Sequence, residues 1–297
     1  MSQQQLERLI KSFQSLPPYN PDQTVEEMRR DYEQLCSAPL PDFIRAEPAD
    51  TAGVKAEWLT TPAIDAGRAI LYLHGGGYVL GNISTHRDLA GRISRAARAR
   101  VLIIDYRRAP EHPFPAALED SLAAYRWMLS NGVDPSGLVV VGDSAGGGLA
   151  VATLVSIKET NRAMPAGIVC LSPWVDLALT GASMTSKAGI DYLVRREEIA
   201  GHAKRYLAAK DPRTPLASPL YADLSGLPPM MVQVDTAETL LDDATRLAER
   251  ARKAGVKVTL DIGEDMIHVW SSFASVLDEG QQAINRIGEF VRRHTPS

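Results

Sequence analysis

The pentapeptide Gly142-Asp143-Ser144-Ala145-Gly146 lies between an apolar run, Leu138 to Val141, and a helix-forming run, Ala145 to Lys158. A chain that passes from strand to helix in one residue must turn sharply at that residue. The flanking glycines let neighbouring backbone pack close without a Cβ clash, and the serine at the tip projects its hydroxyl from the sheet edge. This is the spelling of a nucleophile elbow. Alone it is a weak signal, because a serine in a flexible glycine-rich loop reads the same way.

The rest of the chain repeats the same alternation. Strand-like apolar runs occur at 69–73, 101–106, 138–141, 168–171, 230–234 and 256–262, and helical runs at 116–130, 145–158, 240–254 and 280–293. Strands alternating with helices predict an α/β fold, a mostly parallel sheet with helices on both faces. An earlier pair, 43–49 and 54–60, reads as an antiparallel entry to that sheet. The 297 residues, 45% of them hydrophobic, can bury a large core within one such architecture. Two pieces break the alternation, residues 1–42 and 176–227. In the first, Leu6, Leu9, Ile10, Phe13 and Leu16 fall at helical spacing, Pro17 and Pro18 interrupt, and Val25, Met28, Tyr32 and Leu35 resume it.

Upstream of the serine, His74-Gly75-Gly76-Gly77 follows the strand run Ala69 to Leu73. Acyl transfer builds negative charge on a carbonyl oxygen, and glycine-rich backbone can aim amide hydrogens at it with no side chain in the way. The candidate oxyanion donors are Gly75, Gly76 and Gly77 together with Ala145, the residue after the serine. Three glycines also make a simple tight turn. Their placement before the elbow, each after its own strand, favours the oxyanion reading.

These motifs, with Asp105-Tyr106-Arg107-Arg108-Ala109-Pro110-Glu111, Phe114-Pro115-Ala116 and Leu171-Ser172-Pro173-Trp174, resemble the hormone-sensitive-lipase-like branch of the α/β-hydrolases over nearly the whole chain. The resemblance implies an α/β-hydrolase fold whose core comprises residues 43–175 and 228–297, with 1–42 and 176–227 joined as a helical cap over the site. It also implies that His74 is a structural prop. The order Ser, acid, His along such chains leaves His202, His268 and His294 as candidate bases. His294 reads as solvated tail and His202 as the polar face of a helix within 195–210. His268 follows the last strand run, where the family carries its base, and is preferred.

The acid departs from the family pattern, which resembles Asp-x-Leu-x-Asp. Here the match is Glu238-Thr239-Leu240-Leu241-Asp242. A glutamate can accept the imidazole Nδ1 proton and stabilise the imidazolium as an aspartate does. Asp235 is the competitor, reaching the site only if its loop is shifted, while Asp242 and Asp243 read as charges at a helix start. Glu238 is preferred. The resemblance implies hydrolysis of short acyl esters, of about two to six carbons, through an acyl-enzyme, with Tyr78, Asp143 and Trp174 as candidate substrate contacts. Two other readings stay open: an amidase or deacetylase on the same triad, and a non-catalytic small-molecule receptor of the same fold.

A net charge of −4 offers no footprint for nucleic acid. The local basic run Arg92, Arg95, Arg98 and Arg100 alternates with Ile93, Ala96 and Ala97, as the wet face of a surface helix does. Cys170 sits in an apolar run and reads as a buried hydrophobe, and Cys36 as partly exposed. Neither implies an oxidising compartment. The N-terminus lacks the basic start and apolar core of a signal peptide, so a cytoplasmic enzyme is expected. The chemistry requires no cofactor, and the histidines lack metal-ligand spacing. A homodimer through the edge strand 256–262 is the expected assembly.

Overall fold

Among the described residues, eight strands form one sheet: β1 (Arg45–Thr51), β2 (Val54–Thr60), β3 (Ala69–Leu73), β4 (Arg100–Ile104), β5 (Leu138–Asp143), β6 (Gly167–Leu171), β7 (Met230–Asp235) and β8 (Val258–Gly263). The computed structural model describes residues 2–17 and 20–296, so Pro18, expected to interrupt the N-terminal helical pattern, lies outside the described residues. The strand order is β1-β2-β4-β3-β5-β6-β7-β8. β1 pairs antiparallel with β2, and β2 with β4, while β4 to β8 run parallel. The antiparallel entry is therefore present, with β1 two residues later than expected.

Helices cover both faces, and the period of two along each strand sorts the side chains between them. Ile70, Tyr72, Val101, Ile103, Val139 and Val141 pack toward α3 (Ile83–Ala97) and α9 (Asp278–His294). Leu71, Leu73, Leu102, Ile104 and Val140 pack toward α4 (Ala116–Ser130), α5 (Ala145–Glu159) and α8 (Leu241–Lys253). Covered on both sides, β3 and β5 are buried along their whole length. Each such Leu, Ile or Val contributes about 1.5–3 kcal/mol of hydrophobic stabilisation. In α5 every residue except Ser156, Lys158 and Glu159 is buried, which makes it the central helix of that layer.

Of the basic run only Arg92 and Arg95 lie on α3, with Arg95 exposed and Ile93 and Ala97 buried. Arg98 is the left-handed residue that ends the helix and Arg100 opens β4, so the helical-face reading holds only for the first half of the run. Residues 1–42 carry α1 (Ser2–Gln14) and α2 (Val25–Cys36), and residues 176–227 carry α6 (Ser183–Ser186) and α7 (Arg196–Leu207). Thr24 and Glu27 close a reciprocal cap at the start of α2, the Thr24 amide donating to Glu27 Oε2 at 2.9 Å. Leu6 and Phe13 of α1 pack against Ile267, Trp270 and Leu277. No helix among the described residues is long and apolar enough to cross a membrane.

Candidate active site

Ser144 is the single residue between β5 and α5, with φ 52° and ψ −120°. Such a backbone costs a non-glycine residue about 1–3 kcal/mol and persists only where its surroundings enforce it. Here the Ser144 amide donates to the Leu171 carbonyl at 2.8 Å, and the Ser144 carbonyl accepts from Trp174 and Gly147 at 2.9 and 3.0 Å. The elbow also needs α5 to pass close to β3. A Cβ on Gly146 would collide with the carbonyls of Leu73 and His74, and one on Gly142 with the carbonyl of Gly146. Ala145 opens α5, so its amide is one of the first-turn donors that have no intrahelical acceptor.

The loop after β3 brings its glycines to the same sheet edge. Gly76 and Gly77 have φ of 105° and 62°, which a side chain would oppose. The Val79 and Leu80 amides close onto the Gly76 carbonyl at 3.1 and 2.7 Å, and the Ala109 amide donates to the Tyr78 carbonyl at 2.9 Å. Gly75 corrects the sequence reading. Its amide is already donated to Asp143 Oδ1 at 3.1 Å, which leaves the amides of Gly76, Gly77 and Ala145 as the candidate donors.

His74 is a prop, as the resemblance implies. It is buried, stacks on Tyr106 at 4.1 Å, and pairs Nδ1 with the Gly75 carbonyl at 2.7 Å. Burial pulls its pKa down to about 3, so it stays neutral.

The three expected substrate contacts, Tyr78, Asp143 and Trp174, are all buried. Asp143 is buried with both oxygens engaged: Oδ1 accepts from the Tyr72 hydroxyl at 2.7 Å as well as from Gly75, and Oδ2 lies 3.3 Å from His86 Nε2. Burial pushes this carboxyl up, but His86 and Tyr72 more than offset it and hold it below its ordinary value. Tyr78 is buried between Tyr206, stacked at 3.8 Å, and Trp174, itself buried. Asp143 and Tyr78 brace the loop and the elbow, while the Trp174 indole donates to the Asp176 carbonyl at 3.3 Å.

His268 and Glu238 meet, with Nδ1 and Oε2 2.7 Å apart. Burial lowers the His268 pKa, but the charge and hydrogen bond of Glu238 outweigh it and hold the imidazole above its ordinary value. Burial pushes the Glu238 carboxyl upward, against the pull of His268. Asp235 is turned away. Its Oδ1 accepts from the Ala237 amide at 2.7 Å, and its own amide donates to Glu238 Oε1 at 2.8 Å. The backbone amide of the competing residue thus helps to orient the preferred carboxylate.

Ser172, quoted in the sequence only as part of a resembling segment, joins these groups. Its hydroxyl donates to Glu238 Oε1 at 2.7 Å and accepts from the Val269 amide at 3.1 Å. Its neighbour Leu171 holds the Ser144 amide. Ser144, Ser172, Glu238 and His268 therefore follow four adjacent strands, β5, β6, β7 and β8, at their carboxyl ends.

Two further readings are corrected. His202 is buried rather than on a polar face, because it shares the inward stripe of α7 with Ile199, Ala203 and Tyr206. Its ring fills the space a Cβ on Gly77 would need, and burial pulls its pKa down to about 4. Asp243 is more than a capping charge: fully buried, it accepts from the amides of Val175 and Asp176, both at 2.9 Å, and burial pushes its carboxyl up to about 8. Asp242 likewise braces the Ser183 amide at 3.0 Å. His294 sits half-buried at the end of α9, bonded to the Phe290 carbonyl at 2.9 Å.

A groove of about 380 Å³ runs between α1 and residues 188–197, lined by Phe13, Leu16, Asp191, Tyr192 and Val194. Asp191 anchors its inner end, accepting from the Thr239 amide, next to Glu238, at 2.9 Å.

The chain is similar to known proteins along nearly its whole length. Residues 70–272 match the family described as alpha/beta hydrolase fold. An acetyl-hydrolase of Streptomyces hygroscopicus is 48% identical over 240 residues, covering 81% of this chain and 80% of that protein. The crystal structure of an esterase from the bacterial hormone-sensitive lipase family superposes with a TM-score of 0.95 at 49% identity, covering 99% of both chains. A second esterase, EstE5, in a crystal soaked with p-nitrophenyl butyrate, gives 0.95 at 46% identity over 98% of both chains. With a strained serine after β5, a glycine loop after β3 and these relatives along nearly its whole length, the chain belongs to the hormone-sensitive-lipase-like esterases of the α/β-hydrolase fold.

Proposed function

We propose that this ester hydrolase works through an acyl-enzyme formed on Ser144, with His268 as general base and Glu238 as the acid of the triad. The Ser144 oxygen attacks the ester carbonyl while His268 Nε2 takes its proton. Glu238 holds the Nδ1 proton and stabilises the imidazolium. The tetrahedral oxygen is received by the amides of Gly76, Gly77 and Ala145, each such donor being worth about 2.7–4 kcal/mol in the transition state. His268 then returns the proton to the departing alcohol, and water repeats the sequence in reverse. The observation that carries this reading is the Glu238–His268 bond of 2.7 Å, tied through Ser172 and Leu171 to the backbone of a serine held at positive φ.

The preferred substrates are short acyl esters. The acetyl-hydrolase relative supports this choice. Residues 1–42 and 176–227 act together as the cap that borders the groove between α1 and residues 188–197.

The test is hydrolysis of p-nitrophenyl acetate, butyrate, octanoate and palmitate. Acetate and butyrate are cleaved fastest, Ser144→Ala abolishes turnover, and Glu238→Ala costs far more than Asp235→Ala. A matched anilide cleaved as fast as the ester would make the protein an amidase instead. Equal losses in the Glu238 and Asp235 variants would sink the triad assignment.

A further inference from the structure

α2 touches the oxyanion loop directly at its far end and reaches its near end through His86 and Asp143, although it lies outside the residues matched by the family. At the far end, Arg29 Nε donates to the Val79 carbonyl and Nη2 to the Ala109 carbonyl, both at 2.9 Å. Its two terminal nitrogens also grip Glu111 bidentately at 2.7 Å each. The Val79 carbonyl belongs to the turn that carries the glycines, and the Ala109 carbonyl to the segment hydrogen-bonded to that turn. The Val79 amide closes on the Gly76 carbonyl, and the Ala109 amide holds the Tyr78 carbonyl. At the near end, three residues along the same helix, Tyr32 stacks over His86 at 6.4 Å. His86 in turn holds Asp143, whose other oxygen fixes the Gly75 amide. Glu33, next along, accepts from Ser84 at 3.0 Å and Asn82 at 3.3 Å, just past the loop.

We infer that Arg29 is a positioning residue for the oxyanion hole: it fixes the turn at residues 76–80 so that the Gly76 and Gly77 amides converge before substrate arrives. Arginine suits the task because its planar fork serves two carbonyls and a carboxylate at once, which a lysine ammonium cannot. The Glu111 carboxylate keeps the guanidinium oriented, and Arg29 in turn holds that carboxyl down at about 2. A loose turn would have to order itself in the transition state, when preorganisation is what lowers the barrier. The inference rests on the reading of Gly76 and Gly77 as oxyanion donors.

The experiment compares the full chain with its Arg29→Met and Arg29→Lys variants. It uses p-nitrophenyl acetate and an aryl trifluoromethyl ketone, whose serine adduct places an oxyanion in the hole. Arg29→Met lowers kcat by about tenfold to a hundredfold with KM within about threefold. Ketone affinity falls by a similar factor, and Arg29→Lys recovers part of both. Titration of Ser144 with a p-nitrophenyl phosphonate finds the same fraction of reactive serine in all three proteins. Three results would each overturn the inference: an unchanged kcat, a change confined to KM, or a reactive-serine fraction that falls in step with kcat. In an active wild-type enzyme those results leave the ester-hydrolase reading intact. A wild-type protein inert on every ester, or a Ser144→Ala variant that still turns over, overturns both.

Discussion

His268 is subject to two opposed influences, burial and the Glu238 carboxylate, and the carboxylate prevails. The base must be neutral to take the serine proton. Activity is therefore lost as pH falls through its pKa, and a raised pKa places that loss above the ordinary histidine value of about 6.5. We expect the acid limb of kcat/KM to lie above that value and to move to lower pH in Glu238→Gln; a limb that does not move would remove Glu238 from the pair. Ser172→Ala deletes the donor to Glu238 and leaves the Val269 amide unpaired in a buried place. Steady-state kinetics on p-nitrophenyl acetate should show kcat/KM down by about tenfold or more, with Ser144 still reactive. The positions of Ser144 and His268 at the sheet's carboxyl edge were legible because each follows a strand run in a short, ordered motif. Ser172 was not, because its role exists only once β6 lies between β5 and β7, and linear spacing does not state that adjacency.

At the scale of elements, the crossing of α5 over β3 depends on Gly146. In Gly146→Ala the new Cβ meets two backbone carbonyls that cannot rotate away, so α5 must lift from the sheet. Urea unfolding should show a loss of about 1–3 kcal/mol, together with a drop in esterase activity as the elbow shifts. Gly67→Ala, whose Cβ meets only Asp65 at 3.5 Å, should stay within about 0.5 kcal/mol of the parent. The strand and helix runs were readable within a few residues, since apolar period and turn residues are local signals. α7 was misjudged at His202. Counting histidine as polar put it on the wet face, whereas its spacing from Ile199 and Tyr206 puts it on the buried stripe that meets Gly77. Asp242 and Asp243 were placed correctly at a helix start, but the segment they brace comes from some sixty residues earlier and no local pattern announces it.

At the scale of the whole molecule, the sheet has two edges among the described strands, the antiparallel β1 and the parallel β8. β8 pairs only with β7 among the described strands, and Ile262 is 44% exposed on it. An uncovered parallel edge accepts a symmetry-related strand, so light scattering should give a dimer mass at micromolar concentration, and a charged replacement at Ile262 should shift it to monomer. A monomer at every concentration would rule this assembly out. The contacts at the other extreme of the chain bear on how the enzyme is made. The Asp278 amide donates to the Gln5 side chain at 3.2 Å across 273 positions, and α1 packs on the residues that follow His268. During synthesis the serine elbow emerges before the loop that carries His268, and α1 has nothing to dock on until that loop and the residues after it are made. A chain interrupted between the two therefore carries Ser144 without His268, and on the proposed mechanism it stays inert until the loop after β8 has joined the sheet.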